Sequence, residues 1–173
     1  MIGNLTALRA VRPESMVMAP HSLPEALDWV VEHYRHRAEG AGITIKAEVS
    51  EGVPTILADR EHLLLAVSQL LDNAIKFSPQ GGTVRIRIWS EGDWVNLAVQ
   101  DEGIGIPREH LPHIFERFYQ VDGSTTRRFG GMGIGLALVW EIMEAHRGFV
   151  RVESEVGKGS TFTLSFPRAG GEA

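Results

Sequence analysis

The residues from Asp59 to Phe77 read as one helix, with Asp59 as its N-cap and Ser78-Pro79 and Gly81-Gly82 closing it. At about 100° per residue, His62, Gln69, Asn73 and Lys76 share one narrow polar stripe. Leu63, Leu64, Val67, Leu70, Leu71, Ala74 and Ile75 cover more than half of the circumference, and the stripe lies on the remainder. A helix apolar nearly all round is buried, so its polar stripe faces a partner rather than open water. Asn73 offers a neutral oxygen ligand and Lys76 a point charge, a pair suited to a hard cation and a phosphate. The same stripe also fits a plain solvent-facing edge, with Lys76 placed near the helix C-terminus by the dipole.

Three further segments carry candidate chemistry. D-E-G-I-G-I-P at 101–107 follows an alternating strand. A carboxylate at such a strand end can accept from an exocyclic amine, which adenine has, whereas guanine shows an oxygen on the equivalent edge. The bland alternative is a surface turn, where Asp-x-Gly is common. F-G-G-M-G-I-G-L-A-L at 129–138 runs into a helix. Glycine-rich backbone at a helix start presents free N–H groups to anions, or serves as a lid over a ligand. It lacks the G-K-[ST] of a P-loop, and no long strand precedes it. Arg127 and Arg128 just before it are candidate phosphate contacts. G-K-G-S-T-F-T-L at 157–164 reads as a hairpin turn, with Thr161 at a strand start able to bond a base or a water.

The elements that position these residues follow from periodicity. A helix spans Leu23 to about Glu39, with Leu27, Val30, Val31 and Tyr34 on one side, and Gly40 and Gly42 end it. I-T-I-K-A-E-V at 43–49 alternates as a half-buried strand. T-V-R-I-R-I-W and W-V-N-L-A-V-Q form a hairpin across S-E-G-D. A helix from about Gly133 to His146 and a second hairpin, F-V-R-V-E-S-E with S-T-F-T-L-S-F, complete the chain. Residues 101–132 are expected to be irregular. This order predicts an α+β sandwich, a mixed, mainly antiparallel sheet under one helical layer.

Composition bounds the function. The chain has 173 residues, 43% hydrophobic and 23% charged, enough for one domain with a real core. It contains no cysteine, which excludes disulfides and thiolate metal sites. A net charge of −5 argues against a nucleic-acid grip through phosphates. No apolar run approaches the roughly 18 residues needed to cross a bilayer, so a cytoplasmic location is expected, with the parent protein open to membrane anchoring.

In this order and spacing the motifs resemble the ATP-binding catalytic domain of sensor histidine kinases, in the gyrase, histidine kinase and MutL superfamily. The match covers about residues 22–167: L-L-D-N-A-I-K-F, D-E-G-I-G-I-P, I-F-E-R-F, G-G-M-G-I-G-L-A-L and G-K-G-S-T-F. The resemblance implies the Bergerat fold, a two-layer sandwich of about five strands and about three helices with a flexible ATP lid. It implies ATP and Mg²⁺ as cofactors, with Asn73 holding the metal and Lys76 meeting the phosphates. Asp101 would take the adenine amine, with a water bridging to Thr161. Gly103 and Gly105 would let backbone approach the base beside Ile106 and Phe77. Gly131, Gly133 and Gly135 would hinge the lid, with Arg128, Ile134 and Leu136 also at the nucleotide, and Phe115 and Phe118 would anchor the lid by packing.

Several positions depart from that pattern. Gln69 stands where hydrolysing relatives have a water-activating Glu, and its amide has no useful basicity; it is left a phosphate or metal-bound water as partner. Gln120 replaces an Arg after I-F-E-R-F, and Met132 a more usual Thr. The phosphoacceptor segment of the family is not matched by His21 or by any other histidine here. Residues 1–20 are therefore expected to be the remnant of the dimerisation hairpin and linker, residues 21–168 the catalytic domain and 169–173 a disordered tail. The implied function is transfer of the ATP γ-phosphate to a histidine on a separate dimerisation domain, for relay to a response-regulator aspartate. The fragment is expected to be monomeric and the full-length protein a homodimer. The alternatives are a nucleotide-binding module without transfer, which Gln120 keeps open, and a serine kinase of the anti-sigma type.

Overall fold

The computed structural model describes residues 13–116 and 135–170. Its frame is a five-stranded sheet in the order β2-β4-β5-β7-β6, formed by β2 (Ile43–Val49), β4 (Gly82–Glu91), β5 (Trp94–Asp101), β6 (Phe149–Glu155) and β7 (Gly159–Pro167). Only the β2–β4 pair is parallel; the other three pairs are antiparallel. Three helices, α1 (Leu23–Gly40), α2 (Arg60–Lys76) and α3 (Gly135–Ala145), make the second layer, with α2 packed against both of the others. The predicted mixed, mainly antiparallel sandwich is the observed one.

Alternation explains the core. Along β5 and β7 the large apolar residues Val95, Leu97, Val99, Phe162, Leu164 and Phe166 share the helix-facing side, while the small or polar Asn96, Ala98, Thr163 and Ser165 between them are also buried, as befits the middle of the sheet. From α2 the large apolar residues meet Leu63, Val67, Leu70, Leu71 and Ala74, all at most 2% exposed. Leu71 is fully buried. Leu71→Ala is expected to cost about 2–5 kcal/mol, measurable as a lower urea midpoint with an unchanged slope.

A second, two-stranded sheet was not legible in the sequence: β1 (Met18–His21) pairs antiparallel with β3 (Ile56–Asp59). The segment before Pro20 reads as linker, yet it is a strand. Pro20 is tolerated because β1 has a ladder on one side only. Four residues are too few to show a period, and β3 is just as short. A short 3-10 helix, Arg108–His113, likewise occupies part of the stretch expected to be irregular.

This small sheet fixes the start of α2. The Asp59 carboxylate accepts from the His62 backbone N–H (3.0 Å) as an N-cap and from the Val17 N–H (2.8 Å). Burial alone would raise its pKa. The His62 side chain and these two backbone donors outweigh that and hold it at about 2. His146, 2% exposed, accepts from the Asp59 N–H at Nε2 (3.1 Å) while its Nδ1 bonds the Ile142 carbonyl (2.7 Å). Burial lowers the His146 pKa, consistent with a neutral ring donating from Nδ1. Chain entry, α2 and the end of α3 are thus tied at one point.

Candidate nucleotide site

The site is built where the C-terminal end of α2 meets the ends of β5 and β7. The link is covalent geometry and backbone bonding: the Phe77 N–H caps α2 on Asn73 O (3.0 Å), and the Phe77 carbonyl accepts from the Ile104 N–H (3.0 Å). The polar stripe of α2 and the D-E-G-I-G-I-P loop are therefore neighbours. Gln69, Asn73, Lys76 and Phe77 are all half-buried, as the stripe argument requires.

Asp101 ends β5 with only 5% exposure, its side chain on the helix-facing side. Its Oδ1 accepts from the Gly103 N–H (2.9 Å) and the Ser160 N–H (3.3 Å). Among the described residues both of these bonds fall on the same oxygen, which leaves Oδ2 for an incoming donor. Burial pushes the Asp101 pKa up to about 6, although both N–H donors pull it down. Among the described residues no cation pairs with it, and a buried carboxylate without one is expensive to keep, a mark of a functional group rather than a structural one.

The glycines of this loop have a structural reason that the sequence did not show. A Cβ on Gly103 would overlap the Phe77 carbonyl, and one on Gly105 (φ 76°) the Glu155 carbonyl. The close approach they permit is to the protein's own backbone, which closes the loop against α2 and β6. The loop is then pinned by Gly157 N–H to Ile104 O (2.9 Å) and Ile106 N–H to Ser154 Oγ (2.7 Å). Ile106 itself packs against the core.

Thr161 is not brought to Asp101. It pairs with Gln100, whereas Asp101 pairs with Ser160. Because opposed residues share a face and neighbours alternate, Thr161 points to the side of the sheet away from the helices. Ser160, 7% exposed, takes the place beside the carboxylate, and Ser154 stands next to it on β6. Both were missed, since G-S-T-F alone leaves open which hydroxyl faces in.

The cation on the stripe is already engaged. Lys76 Nζ lies 3.1 Å from Asp72 Oδ2, and Asp72 Oδ1 lies 2.6 Å from Arg37 of α1. Reaching a phosphate means that Lys76 exchanges Asp72 for it. Asp72 keeps Arg37 when that happens, so no carboxylate is stranded. Neither Asp72 nor Arg37 drew notice in the sequence, because their contact depends on how α1 packs on α2. At the other end of the stripe, Gln69 Oε1 lies 2.5 Å from where a Cβ on Gly135 would sit, which places the Gln69 amide at the start of α3. Leu136 follows in the same turn, half-buried on the core. Phe115 packs its ring beside those of Trp140 and Phe162, with centroids 5.4 and 6.3 Å away. Arg127, Arg128, Gly131, Met132, Gly133 and Ile134 lie outside the described residues, as do Phe118 and Gln120.

Magnesium fits the donors present. Among the described residues no three His, Asp or Glu side chains gather as a metal cage. A half-buried Asn73 beside a lysine suits a Mg²⁺ that takes most of its oxygens from phosphates and water.

A sheet with one helix-covered face, and a buried carboxylate at a strand end beside the polar stripe of a buried helix, make a site suited to a nucleotide. Residues 58–170 match the family model of histidine kinase-, DNA gyrase B- and HSP90-like ATPases, and the chain belongs to that family. It is an ATP-binding domain of the type found in sensor histidine kinases. It is 39% identical over 174 residues to the sensor-like histidine kinase SenX3 of Mycolicibacterium smegmatis, covering 96% of this chain and 44% of that protein. It is 38% identical to the phosphate regulon sensor protein PhoR of Pseudomonas aeruginosa, covering 84% of this chain and 34% of the relative. Among solved structures, full-length ShkA in complex with AMPPNP superposes with a TM-score of 0.80 at 33% identity, over 95% of this chain and 34% of that one. The chain thus spans less than half the length of these relatives. Among the described residues no helix is long and apolar enough to cross a membrane.

Proposed function

We propose that this domain binds Mg²⁺-ATP and serves as the kinase half of a two-component sensor, passing the γ-phosphate to a histidine on a separate dimerisation domain. A response-regulator aspartate would be the next acceptor. The full-length protein would act as a homodimer in the cytoplasm or at its membrane face, with the chain before β1 leading in from the dimerisation hairpin, the catalytic domain running from β1 to about residue 168, and 169–173 as a tail. The observation that carries the nucleotide reading is Asp101, buried, raised in pKa, and hydrogen-bonded through Oδ1, which leaves Oδ2 for a donor such as the adenine amine.

In this reading Asp101 selects and orients the base, Lys76 moves from Asp72 to the phosphates, and Asn73 supplies the protein oxygen for Mg²⁺. The metal, when bound, neutralises charge on the phosphate oxygens. Gln69 is a hydrogen-bonding group without basicity, so it positions a water or phosphate oxygen and does not activate water for hydrolysis. Catalysis of this kind is positioning plus electrostatics. The nucleophile, an imidazole nitrogen, comes from the dimerisation domain.

Calorimetric titration of the domain with ATP, with and without Mg²⁺ and with GTP as the control, tests the site. Binding of ATP that is strengthened by Mg²⁺, with GTP ignored, is the expected result. Asn73→Ala should keep the melting temperature within a few degrees and lose most of the Mg²⁺ enhancement; full enhancement would remove Asn73 from the metal. Adding the dimerisation domain with labelled ATP then separates acid-labile transfer to histidine from binding alone.

A further inference from the structure

We infer that Ser154 is a positioning residue that sets the hydrogen-bonding polarity of the base pocket, by orienting the Ser160 hydroxyl so that the wall beside Asp101 offers acceptors only. This inference rests on Asp101 being the adenine contact and deepens that reading toward its selectivity.

The argument is a count of hydrogens. A serine hydroxyl has one donor and two acceptor lone pairs. Ser154 Oγ donates to the Gly159 carbonyl (3.0 Å), which uses its only hydrogen. It accepts from the Ile106 N–H at 2.7 Å. It also lies 2.8 Å from Ser160 Oγ, and with its own hydrogen committed, the hydrogen in that contact belongs to Ser160. Ser160 therefore points its only donor away, at Ser154, and presents lone pairs alone to other neighbours.

Its backbone N–H is committed as well, to Asp101 Oδ1 at 3.3 Å. Ser160 and Asp101 are directly opposed across β5 and β7, on the helix-facing side. The two residues together make a wall of oxygens without a free hydrogen. Such a wall accepts an exocyclic amine and repels a carbonyl oxygen. Repulsion rather than extra attraction accounts for much of a site's power to discriminate. The same hydroxyl ties β6 to two neighbouring parts of the pocket: the D-E-G-I-G-I-P loop through Ile106, and the start of β7 through Gly159 and Ser160. Ser154 touches neither Asp101 nor, on this reading, the nucleotide, so its effect runs through Ser160.

The test is calorimetric affinity for ATP and for inosine triphosphate, which carries an oxygen in place of the amine, on the wild-type domain and on Ser154→Ala, Ser154→Cys and Ser154→Thr. Each is measured well below its melting temperature. Ser154→Ala frees the Ser160 hydroxyl to rotate and donate. ATP affinity is expected to fall about 3- to 10-fold, inosine triphosphate to lose less or to gain, and the ratio between them to narrow by a similar factor. Cysteine keeps the volume but accepts hydrogen bonds poorly, so it should narrow the ratio as alanine does, and threonine should restore it. An equal loss for both nucleotides would make Ser154 a brace only and overturn the inference, as would unchanged affinities in a variant that melts as a folded protein. A wild-type domain that binds no ATP would overturn the nucleotide reading itself, and this inference with it.

Discussion

Asp101→Asn is expected to make the nucleotide-free domain more stable and nearly blind to ATP. Both effects come from one carboxylate. Burial holds the folded-state pKa at about 6, above the ordinary carboxylate value of 3.8. A folded pKa above the unfolded one means that the folded state prefers the proton. The resulting stability is fully present below about pH 4 and is lost as pH rises toward 6. At neutral pH the ionised carboxylate therefore costs the fold on the order of 3 kcal/mol. Asparagine removes the charge and keeps an oxygen for the Gly103 and Ser160 N–H groups. A gain of roughly 1–3 kcal/mol follows, or about 2–12 °C in melting temperature for a domain of this size. The gain should vanish when the melt is repeated near pH 4.

The ligand side has the opposite sign. With the side-chain oxygen held by two N–H donors, the amide nitrogen of the introduced asparagine takes the Oδ2 position and points two hydrogens at the adenine amine. A donor facing a donor in a buried site should lower ATP affinity at least 10- to 100-fold. Thermal melts with and without ATP read both effects in one experiment. A variant less stable than wild type would show that Asp101 is a structural carboxylate, and an unchanged ATP-induced shift would remove it from the site.

How far the sequence went depends on how local each signal was. The three helices and five strands of the main sandwich were legible because each carries its own period over seven or more residues. The α2 stripe was legible for the same reason, and Asn73, Lys76 and Gln69 stand on it. The β1–β3 ladder was not, because four residues give no period and Pro20 argues for linker. Contacts across elements were also hidden. Arg37 and Asp72 come together only through the packing of α1 on α2, and the choice of Ser160 over Thr161 is set by which residue opposes Asp101 in the ladder. The D-E-G-I-G-I-P loop was placed correctly, while the close approach of its glycines to Phe77 and Glu155 was not legible. A sequence shows that close approach is needed, and only the fold shows to what.

That distinction yields the second large effect. Gly105→Ala should abolish measurable ATP binding and destabilise the domain by about 2–4 kcal/mol. Two costs add at this position. The backbone has φ 76°, where an L side chain is strained, and an added Cβ overlaps the Glu155 carbonyl. Relief requires the loop to leave β6, which breaks the bonds from Gly157 N–H to Ile104 O and from Ile106 N–H to Ser154 Oγ that flank it. Gly103, whose N–H holds the Asp101 carboxylate, moves with the loop. Gly157→Ala is the matched control, because Gly157 has φ 83° but open space where a Cβ would go. It carries the backbone strain without the overlap and should cost about 1–2 kcal/mol, with ATP affinity changed less than about threefold. Equal effects of the two substitutions on affinity would mean that backbone strain alone governs the site. The tight seating of this loop on β6 would then not be what forms the base pocket.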